Sequence, residues 1–238
     1  MSAPTRGAVV VTGASRGIGA AIAADLAGRG FRVVGLSRSG VCASGLGIAC
    51  DVTEEEALRA AFARAAEEGP VVGLVNNAGA VHHRRSARLT TAEFEAVMRL
   101  DATAVMVGCR EIRPHLIAAG GGLIVNIGSF YARLGVPGAL AYCAAKAAVG
   151  AITRCLAVEW APEGIRALCV APGYIETDLN REALAGQELH ERLMTRIPLR
   201  RYGRAEEVGR LTGLLFEGGM DFMTGATLAI DGGQGVAE

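Results

Sequence analysis

The sequence lacks a charge imbalance: 24 basic and 24 acidic residues cancel to a formal net charge of zero. Such a composition gives no general electrostatic grip on nucleic acid or on an anionic membrane. It also lacks ordered cysteine spacing, since Cys42, Cys50, Cys109, Cys143, Cys155 and Cys169 never fall in a CxxC pattern. The amino-terminal stretch MSAPTRGAVVVTG has no signal-peptide layout, so a reduced, cytoplasmic compartment is expected. No uninterrupted apolar run approaches the roughly 18 residues that suggest a membrane span. Linkers, internal repeats and low-complexity tracts are absent too. With 51% hydrophobic residues in 238, the chain can bury a large core, and one α/β domain over 1–238 is expected.

What is present is an alternation of short apolar runs with longer helical patterns. The runs are AVVV (8–11), FRVVGL (31–36), GLGIAC (45–50), VVGLV (71–75), LIVNI (123–127), IRALCV (165–170) and ATLAI (226–230). Strands buried on both faces read this way, which predicts a parallel sheet covered by helices. Thr53 with Glu56, and Thr90 with Glu93, fit the capping box at a helix start. The stretch SRSGVCASGLG has no helical period and is expected to be a loop of minimal crossover length.

The polar and glycine motifs follow the strands. TGASRGIG places Gly13, Gly17 and Gly19 at the start of a helix running to about Arg29. Such a loop lets backbone N–H groups and the helix dipole approach a pyrophosphate, although an ordinary tight strand-to-helix turn has the same composition. NNAG (76–79), Gly128-Ser129 and APGYIET (171–177) follow the fourth, fifth and sixth runs. In open parallel sheets ligands bind outside the carboxyl ends of the strands, where all four motifs would lie. In LAYCAAKA, Tyr142 and Lys146 are four residues apart and share a helix face, either as chemistry or as amphipathic residues at a helix margin.

Taken in order, TGASRGIG, NNAG, Ser129, YCAAK and APGYIET resemble the short-chain dehydrogenase/reductase family in its compact form. The resemblance extends to IPLRRYGRAEEV (197–208) and the terminal TGATLAIDGG (224–233). It implies a doubly wound, Rossmann-type parallel sheet of about seven strands, a nicotinamide cofactor and hydride transfer between a carbonyl and an alcohol. It further implies a catalytic set of Ser129, Tyr142 and Lys146, with Asp101 in the fourth place. Reducing a ketone needs a proton donor, and an unperturbed phenol near pKa 10 is poorly matched to neutral pH. Lowering it by about 3 units takes roughly 4 kcal/mol, about what one positive charge some 4 Å away supplies at an effective dielectric near 20. Lys146 can be that charge, and by resemblance it also holds the nicotinamide ribose. Ser129 can steady the developing charge on the carbonyl oxygen.

By the same resemblance, Gly13, Ser15, Arg16, Gly17, Ile18, Gly19, Asp51, Val52, Asn77, Ala78, Gly79, Pro172, Gly173, Ile175 and Thr177 line the cofactor, together with Tyr142 and Lys146. Asn77 and Gly79 would meet the adenine ribose and Thr177 the carboxamide. An acidic residue ending the second strand would bond the ribose 2′-OH of NAD, whereas arginine accommodates the 2′-phosphate of NADP. Ser37 and Arg38 stand there, with Arg16 as a second cation, so NADP(H) is expected; the alternative leaves Arg38 a solvated loop residue. His82 and His83 have no partner at metal-site spacing, and no metal is assigned. The arginines at 192, 196, 200, 201 and 204 read as a solvated face or as a contact for an acidic substrate or a carrier protein. Cys143 reads as a small packing residue.

Three departures from the family pattern bear on function. Asp101 replaces an asparagine that anchors a water in the family's proton relay. Ala167 and Leu168 replace a Val-Asn pair. Leu123 and Glu163 occupy positions that are commonly basic in carrier-dependent oxoacyl reductases. The expected activity is NADP(H)-dependent ketone reduction of 3-oxoacyl type on a small-molecule substrate, with residues 178–200 covering it. A secondary-alcohol, sugar or cyclic-diol dehydrogenase is the alternative, and a catalytically silent cofactor-binding sensor is a reading of another class. Small residues on several faces of the helix over 140–161 (Ala144, Ala145, Ala147, Ala148, Gly150, Ala151) fit the family's pairing of that helix across a homotetramer.

Overall fold

The computed structural model describes residues 6–178, 180, 184 and 186–237. In chain order its elements are β1 (Arg6–Thr12), α1 (Gly17–Gly28), β2 (Phe31–Ser37), β3 (Leu46–Ala49), α2 (Glu55–Glu67), β4 (Val71–Asn76), α3 (Thr91–Met98), α4 (Ala104–Ala118), β5 (Gly122–Ile127), α5 (Leu140–Trp160), β6 (Ile165–Pro172), β7 (Ile175–Glu176), α6 (Gln187–Arg196), β8 (Gly203–Arg204), α7 (Ala205–Phe216) and β9 (Thr227–Ile230). Seven strands form one sheet in the order β3-β2-β1-β4-β5-β6-β9. Every neighbouring pair in it is parallel. The Rossmann-type sheet expected from the sequence is therefore present, with each apolar run on its strand.

The period-two geometry of a strand explains why these runs are unbroken. Val9 and Val11 point into one layer with Ile22 and Leu26 of α1 and Val208 and Leu215 of α7. Val10 points into the other, with Leu58 and Phe62 of α2, Ile112 and Leu116 of α4 and Val149 of α5. All three valines are fully buried, and each such side chain contributes roughly 1.5–3 kcal/mol of transfer free energy. On the five inner strands a polar residue on either face would meet a helix; the edge strands β3 and β9, expected from the sequence to be buried on both faces as well, carry no fully buried residue, because each has a neighbour on one side only.

Chain progression reverses between β1 and β4, and the crevice above those two strand ends is where a ligand has access to the sheet. The β2–β3 connection contains no helix. It runs close along the sheet, where a Cβ on Gly45 would lie 2.2 Å from the Val33 carbonyl oxygen and one on Gly47 2.0 Å from that of Gly40.

Two local expectations come out differently. Thr90 caps α3 with Glu93 in a reciprocal box, and that carboxylate, bonded by the Thr90 backbone and by Arg84, is drawn down to about 2. Thr53 does not cap α2. Its N–H and hydroxyl instead donate to Asp51 Oδ1 at 2.9 and 2.7 Å, the helix begins at Glu55, and Glu56 turns out to pair with Arg59. The aspartate two residues upstream is the better local acceptor. Although no apolar run in the sequence is long, Leu140–Glu163 is by length and mean hydropathy (1.3) apolar enough to cross a bilayer. Its Ala145, Lys146, Val149 and Ala157 are buried against the sheet and neighbouring helices, as a core helix requires. Of the segment 178–200, positions 179, 181–183 and 185 lie outside the described residues, and α6 forms most of the rest.

Close backbone approach at the glycine loop gives a direct test. A Cβ on Gly19 would stand 2.2 Å from the Gly13 carbonyl oxygen and 2.5 Å from Asn77 Nδ2, whereas one on Gly28 meets nothing within 4 Å. Gly19→Ala should lose about 1–3 kcal/mol of stability by overpacking. Gly28→Ala should gain about 0.4–1 kcal/mol by restricting the unfolded chain. Urea unfolding of both variants checks the contrast.

Candidate active site

All four motifs meet at the carboxyl edge of the sheet. Thr12, at the end of β1, ties two of them together: its hydroxyl accepts from the backbone N–H of Asn77 (2.9 Å) and of Ala78 (3.0 Å). Asn77 Nδ2 returns a bond to the Thr12 carbonyl at 2.9 Å. The glycine loop and NNAG are thus one braced unit. Beneath it, buried Asn76 donates to Asn126 Oδ1 (2.9 Å), and Asn126 Nδ2 donates to Thr153 Oγ1 on α5 (3.0 Å). This polar chain couples β4 and β5 to the helix that carries Tyr142 and Lys146. Cys109, in contact with both asparagines, has its thiol pushed up to about 12 by burial.

The amino end of α1 is built for an anion. Arg16 occupies the cap position with no side-chain cap bond, and the first turn holds no acidic residue, so backbone N–H groups there stay available. Gly13 and Gly17 have φ of 68° and 57°, conformations that glycine adopts without strain. Thr177, after β7, lies over this loop, with its Cγ2 3.5 Å from where a Gly17 Cβ would be. Ser15 and Ile18 belong to the same loop and helix start. The residues present therefore fit the pyrophosphate of a dinucleotide. At the end of β2, Ser37 is buried and its hydroxyl donates to the Val41 carbonyl oxygen (3.2 Å), while Arg38 is exposed. Asp51, followed by Val52 beyond β3, is held low chiefly by its bonds from Thr53, with Arg38 adding to the effect. Pro172 ends β6, and Gly173 passes so close to Asp231 that a Cβ would sit 2.7 Å from its Cα.

Across the crevice, α5 presents Tyr142 and Lys146 on one face. Ser129 follows β5, is buried, and its hydroxyl accepts from the Tyr131 N–H at 3.2 Å. Lys146 Nζ donates to the Ile127 carbonyl oxygen (3.1 Å) and stands 3.2 Å from Asp101 Oδ1 and 5.5 Å from the centre of the Tyr142 ring. Asp101 is fully buried, because one turn of π-helix over Arg99–Thr103 joins α3 to α4 and carries it inward. Its other oxygen accepts from the Ala80 N–H at 3.4 Å. Gly79 makes room for the pair, since a Cβ there would lie 2.5 Å from Asp101 Oδ1. The arrangement brings a phenol, a hydroxyl and a buried ammonium together beside an anion cradle.

A family model described as enoyl-(acyl carrier protein) reductase matches residues 13–234. The chain belongs to the short-chain dehydrogenase/reductase family. It is 35% identical over 242 residues to 2-(R)-hydroxypropyl-CoM dehydrogenase of Xanthobacter autotrophicus, covering 94% of this chain and 96% of that one. It is also 35% identical over 238 residues to 3-oxoacyl-[acyl-carrier-protein] reductase of Pseudomonas aeruginosa, with the same two coverages, 94% and 96%. Among solved structures, aldohexose dehydrogenase of Thermoplasma acidophilum superposes with a TM-score of 0.91 at 30% identity, over 97% of this chain and 94% of that one. This short-chain dehydrogenase/reductase is accordingly an oxidoreductase that interconverts a ketone and an alcohol with a nicotinamide cofactor.

Burial raises the Tyr142 phenol; Lys146 opposes the rise, Asp101 adds to it, and the Ser129 hydroxyl beside it lowers it. Lys146 thus works against desolvation as well as against the intrinsic pKa, a cost that charge spacing along the sequence does not reveal. Burial likewise raises Asp101, and Lys146 pulls it back. Other residues singled out in the sequence stay apart. His82 Nε2 lies 3.6 Å from Glu93, and no cluster able to hold a metal occurs among the described residues. In the basic run, Arg201 bonds Glu207 through two nitrogens, at 2.8 and 2.7 Å, while Arg192, Arg196 and Arg200 are exposed. Cys143 packs against aromatic rings, as expected of a small apolar residue. Sequence reasoning missed the brace at Thr12 and the walls at Tyr131 and Tyr174. Their signal was adjacency to Gly13, Ser129 and Gly173.

If Tyr142 is the group that must be deprotonated for alcohol oxidation, Asp101→Asn removes a charge that raises its pKa. The acidic limb of log(kcat/KM) against pH for oxidation should then move to lower pH, with cofactor affinity nearly unchanged. An unmoved limb would place Asp101 outside the proton path.

Proposed function

We propose that this chain acts as one NAD(P)-binding domain that reduces a small ketone to a secondary alcohol with NADPH, reversibly and in the cytoplasm. The observation that carries the proposal is the convergence of Ser129, Tyr142 and Lys146 at the sheet edge beside the uncapped start of α1. When bound, the nicotinamide supplies the hydride. Gly13, Arg16, Gly17 and Gly19 hold the pyrophosphate, Asn77, Ala78 and Gly79 flank the ribose, and Pro172, Gly173, Ile175 and Thr177 border the nicotinamide. Ser129 donates to the substrate oxygen and fixes its position. Tyr142 gives that oxygen a proton as the carbon is reduced, and Lys146 keeps the resulting phenolate stable. Asp101 holds the Lys146 ammonium in place. Removing the phenolic oxygen with Tyr142→Phe should cut kcat about 10²–10⁴-fold, the usual range for a positioned acid, as followed by NADPH oxidation over a panel of small ketones.

Carrier-bound substrates have less support. Leu123 is buried in β5, and Glu163 is bonded to Arg113 (2.8 Å), so neither position offers a basic docking group. The relatives act on quite different alcohols, which leaves the reading at the level of a small ketone.

Arg38, exposed at the end of β2 where no carboxylate stands, supports the choice of NADP(H). A charge-assisted contact to phosphate is worth about 1.5–3 kcal/mol. Arg38→Asp should therefore shift the ratio of efficiencies with NADPH and NADH at least tenfold toward NADH by that contact energy. A ratio that stays put removes Arg38 as the phosphate ligand. A homotetramer built on α4 and α5 is part of the same proposal: Met106 and Val158 on these helices are 38% and 79% exposed. Sedimentation at micromolar concentration should give a tetramer, and a monomer would defeat it.

A further inference from the structure

We infer that Tyr131 and Tyr174 together form a specificity subsite for a second, uncharged oxygen on the substrate, so that the preferred substrates are hydroxyketones and their diols rather than plain ketones with an alkyl chain. The inference rests on the ketone-reduction reading and names the substrate class for it. Two separate elements deliver the pair. Tyr131 lies in the short turn Phe130–Arg133, two residues beyond Ser129, and Tyr174 follows β6 at Gly173. Their hydroxyl oxygens are 2.8 Å apart. The Tyr131 ring stands edge-on to that of Tyr142, with centroids 5.9 Å apart and planes at 80°, and Phe130 buttresses both Tyr131 and Tyr174. The Tyr131 N–H bonded to Ser129 Oγ anchors the wall to the hydroxyl that would hold the reacting oxygen.

The chemistry of the pair is decided by counting protons. Two phenols share one hydrogen bond, which uses one O–H. The second O–H has no acceptor among the described residues, nor does any arginine, lysine or carboxylate there bond to either hydroxyl. Burial raises the Tyr131 phenol, so that hydroxyl of the pair keeps its proton. The pair can therefore give one hydrogen bond and accept others, which suits an alcohol oxygen. An alkyl group in its place would leave that donor unpaired in a largely buried site, and sites built to bond a hydroxyl discriminate strongly against analogues that lack it. Tyr174 also packs on Leu184, Leu193 and Ile197, which joins the subsite to the covering segment.

The test compares acetoin with butanone as ketones, and butane-2,3-diol with butan-2-ol as ligands of the protein–NADP complex in calorimetry. The wild-type protein should favour the dioxygenated member at least tenfold in kcat/KM and in affinity. Tyr131→Phe and Tyr174→Phe, which keep both rings, should each bring that ratio towards one. A uniform fall for both members of a pair, with the ratio kept, would show that the phenols merely pin the wall and would overturn the proposal. Equal binding of diol and mono-alcohol by the wild-type protein, or binding of neither, would overturn it too. A diol preference in calorimetry without turnover of either ketone would uphold the subsite and count against ketone reduction.

Discussion

The site depends on one constraint, the burial of an ammonium group at the edge of a hydrophobic sheet. The Lys146 side chain is 5% exposed, and a charge is costly to bury there unless it is paired and hydrogen-bonded. Three features hold it: the Ile127 carbonyl at the end of β5, the Asp101 carboxylate from the π-turn, and the space left by the missing side chain of Gly79. Each comes from a different part of the chain. The pair is a poor stabiliser, since burying two charges costs about as much as their attraction returns, and its value lies in fixing where positive charge sits relative to Tyr142. Asp101 stands where the resemblance to the family implies an asparagine, and a carboxylate contributes a field that an asparagine does not.

Fold and site are linked by direction. All strands of the main sheet run the same way, so their carboxyl ends and the motifs that follow share one edge. The reversal between β1 and β4 opens that edge, the brace through Thr12 sets the spacing of the two glycine-bearing loops, and the asparagine chain carries that position through the core to α5. A shift of the NNAG loop would thus move the floor under Asp101 as well as the cofactor cradle. Gly19, packed against the Gly13 carbonyl and Asn77, leaves no room for a side chain within this unit.

Much of this was legible in the sequence because the signals are periodic or local. Runs such as AVVV, short and bounded by turn residues, read as strands covered on both faces, and glycines at 13, 17 and 19 followed by a helical pattern mark a tight turn. Tyr142 and Lys146 were legible for the same reason, being one helical turn apart. What was not legible depends on contacts distant in sequence. The burial of Asp101 needs a π-turn that no local pattern announces, and the meeting of Tyr131 with Tyr174 spans the distance from β5 to β6. The misplaced cap at Thr53 had a local competitor in Asp51, which the pattern of threonine and glutamate alone did not weigh.

One buried ammonium opposes the effect of burial on the Tyr142 phenol, and the chain offers an unusually direct probe of it because Lys146 is its only lysine. Protein labelled with ¹⁵N in lysine should give one side-chain resonance in a pH titration. A chemical-shift step at alkaline pH, reporting the ionisation of Tyr142 beside the lysine, is expected in the wild-type protein and should be missing in Tyr142→Phe. An identical pH dependence in the two proteins would contradict that coupling.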